Sequence, residues 1–174
     1  MRRWAATILM LFLAAGCRPA SPGGTPQVIP ELTMDGVQFR VDRGGATTAS
    51  GLAERLTYRR DTTDIAAVDL VMDLATADGP VHLTAPAGSG QLLRHQFRVT
   101  GGLRATRGTD VATTPSATSG PGPDGRVVIH GDEPIQVVGP GYRLTGTGFD
   151  VDPGSGDFTI RGQPRFVAGL GSRP

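Results

Sequence analysis

From Val37 onward, apolar and polar positions alternate with a period of two, the pattern of strands that turn one face toward a core. Val37, Phe39 and Val41 alternate with Gln38 and Arg40, and Val68, Leu70, Met72 and Leu74 with Asp69, Val71 and Asp73. Val81 and Leu83 flank His82; Leu93, Phe97 and Val99 alternate with Arg94, Gln96 and Arg98. The pattern continues through Val127 and Ile129, Ile135 and Val137, Tyr142 and Leu144, Phe149 and Val151, and Phe158 and Ile160. Clusters of turn-forming residues separate these runs: Arg43 to Gly45, Pro86 to Gly90, Pro121 to Gly125 and Asp152 to Asp157. Helical spacing nowhere persists beyond two turns. Leu52 to Leu56 reads either as one helical turn or as a strand with Leu52, Leu56 and Tyr58 on one face. The chain is therefore expected to be all-β, with short strands at the spacing of a sandwich, barrel or solenoid.

A repeat narrows that choice. Phe97-Arg-Val-Thr-Gly101, Val127-Val-Ile-His-Gly131 and Phe158-Thr-Ile-Arg-Gly162 share the form apolar, any, β-branched, any, Gly, at offsets of 30 and 31 residues. Gly125 and Gly156 precede the last two copies, and Pro134 with Ile135 and Pro164 with Phe166 follow them. Val68-Asp69-Leu70, 29 residues before Phe97, reads as an earlier copy that lacks the glycine. A β period of this size implies units stacked along an axis, each burying its apolar face against its neighbours.

Composition adds limits. With 26 Gly and 14 Pro the chain of 174 residues is heavily punctuated, and 5% aromatic residues exclude a large aromatic core. All 17 basic residues are Arg, and the formal charge of +1 argues against a protein that coats nucleic acid. The single cysteine excludes an internal disulfide.

That cysteine has a specific context. Arg2 and Arg3 precede an apolar stretch of ten residues, Trp4 to Leu13, about half the ~20 needed to span a bilayer as a helix. The stretch ends in Leu13-Ala-Ala-Gly-Cys17, which resembles a bacterial lipobox, with Ala14 in place of the preferred Leu. Residues 1–16 are thus expected to be a lipoprotein signal peptide and Cys17 the acylated residue. Residues 17–31, rich in Pro, Gly and Ser, read as a flexible tether, 32–170 as the β domain and 171–174 as a tail. Cleavage before Cys17 leaves 158 residues with 15 Arg against 16 acids, a charge of −1. Acyl chains on Cys17 would hold the chain on a membrane, each buried methylene contributing ~0.8 kcal/mol.

Gly36-Val-Gln-Phe-Arg-Val41, Ala53 to Asp61, and above all Pro140-Gly-Tyr-Arg-Leu-Thr-Gly-Thr-Gly-Phe-Asp-Val-Asp152 with Phe158 to Gly162 resemble the periplasmic LptC component of lipopolysaccharide export. More broadly they are similar to the LptA/OstA-like superfamily. The resemblance spans about Leu32 to Ala168 and implies a folded-over β-jellyroll, or β-taco, of stacked short antiparallel strands with an apolar groove. A lipid on Cys17 would replace the transmembrane helix of better-known members. The implied location is the periplasmic face of a Gram-negative membrane, the inner one by role, although Arg18 is not the Asp of the enteric inner-membrane retention signal.

The resemblance also implies a role without catalysis: passing lipopolysaccharide from an ABC transporter, LptBFG-like, to an LptA-like bridge protein. The inward residues of such a trough would be Phe39, Val41, Leu70, Met72, Leu83, Phe97, Val99, Ile129, Leu144, Phe149, Phe158 and Ile160. The same residues would equally make a closed core. Open edges extend by strand addition. Val37, Phe39 and Val41 would meet the transporter, and Arg165, Phe166 and Val167 the next bridge protein, with Pro164 just before the last strand. The alternative is a structural or assembly lipoprotein whose β domain binds protein partners and not lipid.

Catalytic and metal chemistry find little support in the residues. His82, His95 and His130, spaced by 13 and 35 residues, lack close ligand companions. Ser89 and Ser155 lie in Gly-rich turns without a nucleophile elbow. Asp150, Asp152 and Asp157 surround a turn but lack the bidentate Glu of a calcium loop. No cofactor or metal is expected. Asp64, Asp69, Asp73 and Asp78 read as an acidic outer face.

Overall fold

The computed structural model describes residues 31–169, and eleven antiparallel strands in a single sheet account for 77% of them, with no helix. The strands are β1 (Glu31–Arg43), β2 (Ala46–Arg59), β3 (Asp64–Thr76), β4 (Gly79–Gln91), β5 (Gln96–Thr100), β6 (Leu103–Arg107), β7 (Asp110–Thr114), β8 (Ala117–Pro121), β9 (Val127–Gly139), β10 (Tyr142–Val151) and β11 (Phe158–Ala168). The proposed signal segment, Cys17 and the tail from 171 lie outside the described residues.

The order is a meander with one split. β1 to β4 pair in sequence, as do β9 to β11, and between β4 and β9 lie two shorter pairs, β5 with β8 and β6 with β7. Because β5 and β6 are consecutive, as are β7 and β8, the split is two long strands broken at their midpoints. The broken points are Gly101-Gly102 and Pro115-Ser116.

The same break recurs in the unsplit strands. Between β1 and β2 the ladder runs to Asp35↔Arg55 and resumes at Val37↔Ala53, leaving Gly36 opposite Glu54 unpaired. Glu54 and Asp69 are passed over between β2 and β3, and Asp69 and Pro86 between β3 and β4. β9 leaves β8 at His130 and joins β7 at Gln136, while β10 shifts register between Thr147 and Phe149. A line of missing ladder bonds therefore crosses the whole sheet, and we call it the crease.

Backbone conformation explains the line. Gly36 and Gly148 take positive φ of 62° and 71°, as glycine does without cost, and Asp69 and Gln163 take 50° and 49°. Each such kink rotates the following residues to the other side of the strand. Inward positions are spaced by two within each half-strand but by three across the crease: Met34 to Val37, Ala53 to Leu56, Ala67 to Leu70, Thr114 to Ala117. Proline is admitted here because no ladder N–H is needed; Pro86, Pro115, Pro134 and Pro164 all sit at the crease.

The crease divides the sheet into two wings that fold toward each other. The Ala77 N–H, in the turn after β3, donates to the Pro153 carbonyl in the turn after β10 at 3.2 Å, although the two turns belong to opposite wings. The packed cluster of Ala117, Ile135 and Phe149 draws Leu103 and Val137 from one wing and Val99, Ile129, Val151 and Ile160 from the other. The protein is thus all-β with a folded-over sheet, as the alternation and the resemblance led one to expect.

Several local expectations are revised by the crease. Pro86 to Gly90 is not a turn but the second half of β4, and Pro164 lies inside the last strand. Leu93 belongs to the turn between β4 and β5. Leu52 and Val68 face outward, 55% and 44% exposed, because the ladder breaks at Glu54 on β2 and at Asp69 on β3 reverse the alternation that seemed to place them inside.

Candidate functional site

Residues paired directly across an antiparallel ladder carry their side chains on one face. In the first wing a continuous row runs Phe39, Gly51, Met72, Leu83, Ala105, Ala112, Val137, Leu144, Phe166. In the second it runs Leu32, Tyr58, Ile65, Gly90, Phe97, Ser119, Ile129, Val151, Phe158. Leu70 and Val41 stand in neighbouring rows of the first wing, opposite Ala53 and Ala49. Ile160 is opposite Phe149, which is opposite Gly131. All twelve residues singled out for the groove therefore share the inner face.

They do not share one environment. Val99, Ile129, Phe149 and Ile160 belong to the packed cluster of the C-terminal half, with Phe149 only 3% exposed. The other eight are half-buried or exposed, Val41 and Phe158 most of all. Over β2 to β4 the buried inner residues are alanines, Ala49, Ala53 and Ala85. The inner face is thus closed at its C-terminal half and open at its N-terminal half, where Phe39, Leu70, Met72 and Leu83 flank a floor of small residues.

A recurring device shapes this face. Phe39 lies over Gly51, Phe97 over Gly90, Phe149 over Gly131 and Tyr142 over Gly139, each the ring's direct cross-strand partner. A Cβ at any of the four glycines would collide with the covering ring. The ring uses the missing side chain as its seat and lies flat along the sheet, which keeps the space between the wings clear. Tyr142 also stacks on Phe166 at 5.9 Å between centroids, and burial together with its bond to Asp110 pushes the Tyr142 hydroxyl above the usual tyrosine range.

The edges are unpaired among the described residues: β1 bonds only to β2, and β11 only to β10. Val37 and Phe39 on β1 face inward, as does Phe166 on β11, which is 64% exposed at the open end. Val167 is half-buried and Arg165 exposed. The inner face also holds Ile65, Leu56, Tyr58, Leu74 and Phe166, which are not among the twelve groove residues; Leu56, Tyr58 and Leu74 belong to the strand alternation read from sequence and Phe166 to the expected docking edge, while Ile65 has no such signal. Strict alternation from Val68 points away from Ile65, whereas Leu56 and Tyr58 keep the parity of Leu52, which the break at Glu54 turns outward; Leu74 and Phe166 carry the same periodic signal as the residues chosen.

The outer side of the crease is charged. Glu54 and Asp69 meet there, and Glu54 is held above the usual glutamate range by its hydrogen bond to Asp69, by the charge of Asp69 and by nearby Asp35. Arg161 donates to Asp132 and to the Gly131 carbonyl at 2.6 Å and lies 3.3 Å from Asp150. Asp152 folds its own turn, accepting from the Gly154 N–H at 2.8 Å, and pairs with Arg126 at 3.1 Å. These carboxylates are used by turns and ion pairs, and no group of three or more metal-ligating side chains is placed together among the described residues. No helix among the described residues is long and apolar enough to cross a membrane.

No family model matches the chain, and no curated protein matches it.

Proposed function

We propose that the chain is a membrane-anchored, non-enzymatic lipid carrier: an LptC-like periplasmic component that takes lipopolysaccharide from an ABC transporter and passes it to an LptA-like bridge protein. The observation that carries this reading is the inner face of two wings, mainly apolar from β1 to β11, open over β1 to β4 and bounded by strands whose outer sides are unpaired among the described residues. Acyl chains laid along this face leave water at a gain of ~0.8 kcal/mol per methylene, while a sugar and phosphate headgroup stays outside the slot. The surface is mainly aliphatic with rings over glycines, and polar groups such as Ser119 and the Tyr58 hydroxyl are few on it, which suits a cargo that slides.

The free edges give the carrier its neighbours. A β1 edge with Val37, Phe39 and Val41 extends into the transporter's periplasmic part, and a β11 edge with Arg165, Phe166 and Val167 extends into the next bridge protein, so that the inner faces become continuous. Lipid on Cys17 keeps the domain beside the inner membrane. The full chain purified from its membrane in mild detergent is expected to carry lipopolysaccharide, detected by mass spectrometry of its acyl chains. A preparation free of such lipid, yet still bound to protein partners, would instead favour an assembly role without lipid.

A further inference from the structure

The turn between β4 and β5 breaks the rule that this chain's turns are polar. It presents Leu92 and Leu93 to solvent, 40% and 76% exposed, and Leu93 is the most exposed large apolar residue of the described protein. The turn is held firmly. The Leu92 N–H donates to the Thr63 carbonyl at 3.0 Å, the Gln91 side chain donates to the Thr62 carbonyl at 3.0 Å, and the Arg94 N–H donates to the Gln91 side chain at 2.9 Å. Two leucines are therefore fixed outward on a rigid corner built with the turn between β2 and β3.

The chain enters the domain at the same corner. Glu31, the first residue of β1, pairs with Arg59, the last residue of β2. The fourteen residue-to-residue steps from Cys17 to Glu31 reach at most about 50 Å even when fully extended, so an acyl group on Cys17 keeps this corner close to the bilayer. Charges here balance, with Arg59, Arg60 and Arg94 against Glu31, Asp61 and Asp64. Attraction to one headgroup charge is thus not the driving force, whereas apolar insertion is.

We infer that the Leu92-Leu93 turn is an interfacial membrane contact that seats the domain on the surface of the bilayer holding its anchor, with Arg94 reaching back to the phosphate layer. The inference rests on reading Cys17 as that anchor. A leucine moved out of water contributes roughly a ten-fold gain in partitioning, too little to recruit a free protein. For a tethered one, whose effective concentration at the surface is already high, it is enough to set orientation.

The test uses the acylated full chain in vesicles of phosphatidylethanolamine and phosphatidylglycerol, with an environment-sensitive fluorophore on Leu93→Cys; an acylated Cys17 does not react with the label. A label on Thr109→Cys, in the turn between β6 and β7, is the reference. The label at position 93 should shift to the blue and resist quenching by aqueous iodide, the label at 109 should do neither, and adding Leu92→Glu should abolish the shift at 93. A chain that floats with the vesicles while its position-93 label is quenched like that at 109 overturns the seating and leaves the anchor standing. A chain that does not float overturns the anchor, and with it the seating, because the turn alone is too weak to hold a free protein on the vesicle.

Discussion

The ring of Phe149 lies over Gly131, its partner across β9 and β10, so closely that a Cβ on the glycine would meet the ring edge. Phe149 is also the largest side chain buried in the described protein, at the point where the two wings pack. Gly131→Ala is expected to lift the ring and destabilise the fold by ~1–3 kcal/mol through overpacking. Phe149→Ala is expected to cost ~3–5 kcal/mol through the cavity it leaves. Denaturant melts should rank Phe149→Ala below Gly131→Ala and both below the outward control Leu52→Ser, which should stay within ~0.5 kcal/mol of the parent.

The carboxyls of Glu54 and Asp69 face each other across the crease, where the ladder makes no bond that would separate them. Because the folded-state pKa of Glu54 is raised, the native state binds more protons than the unfolded chain between the two values. The Glu54 carboxylate therefore opposes folding above its folded pKa, and the penalty is relieved as the pH falls toward the ordinary glutamate range. Glu54→Gln should raise the melting temperature at pH 7 and lose that advantage in acid. A variant that melts with the parent at neutral pH would show that water screens the pair fully.

Cys17→Ala removes the only thiol to which a lipid can be joined. Fractionation of cells should move the variant out of the detergent-extractable pool that holds the parent, and metabolic labelling with a fatty acid should mark the parent alone. An unchanged distribution with no fatty-acid label would leave the anchoring to some other part of the chain.

Sequence legibility followed the physics of each feature. Period-two alternation depends only on which residues avoid water, so the all-β class, most of the strands and the common face of the twelve named residues could be read from it. The crease could not. Asp69 and Gln163 adopt left-handed backbone that their periodic context does not announce; the break at Asp69 misplaced Val68, and the passed-over Glu54 on β2 misplaced Leu52. Glycine and proline, taken as markers of turns, do a second job at mid-strand, as Pro86, Pro134 and Gly148 demonstrate. The repeat shows the same limit: its letters align Val127 with Phe97, while the ladder aligns Ile129 with Phe97 and Phe158, two residues along and still on the same face.

The central claim is that the inner face, and not the outer one, holds lipid. Met72 and Val71 are neighbours on β3 and point to opposite sides: Met72 stands in the row with Phe39 and Leu83, and Val71 pairs with Leu52 on the outside, 38% exposed. A photo-activated cross-linking amino acid placed at each in growing cells makes the comparison at almost constant position. The account predicts a lipopolysaccharide adduct from position 72 and none from position 71. Adducts from both positions, or protein adducts alone from position 72, would contradict it.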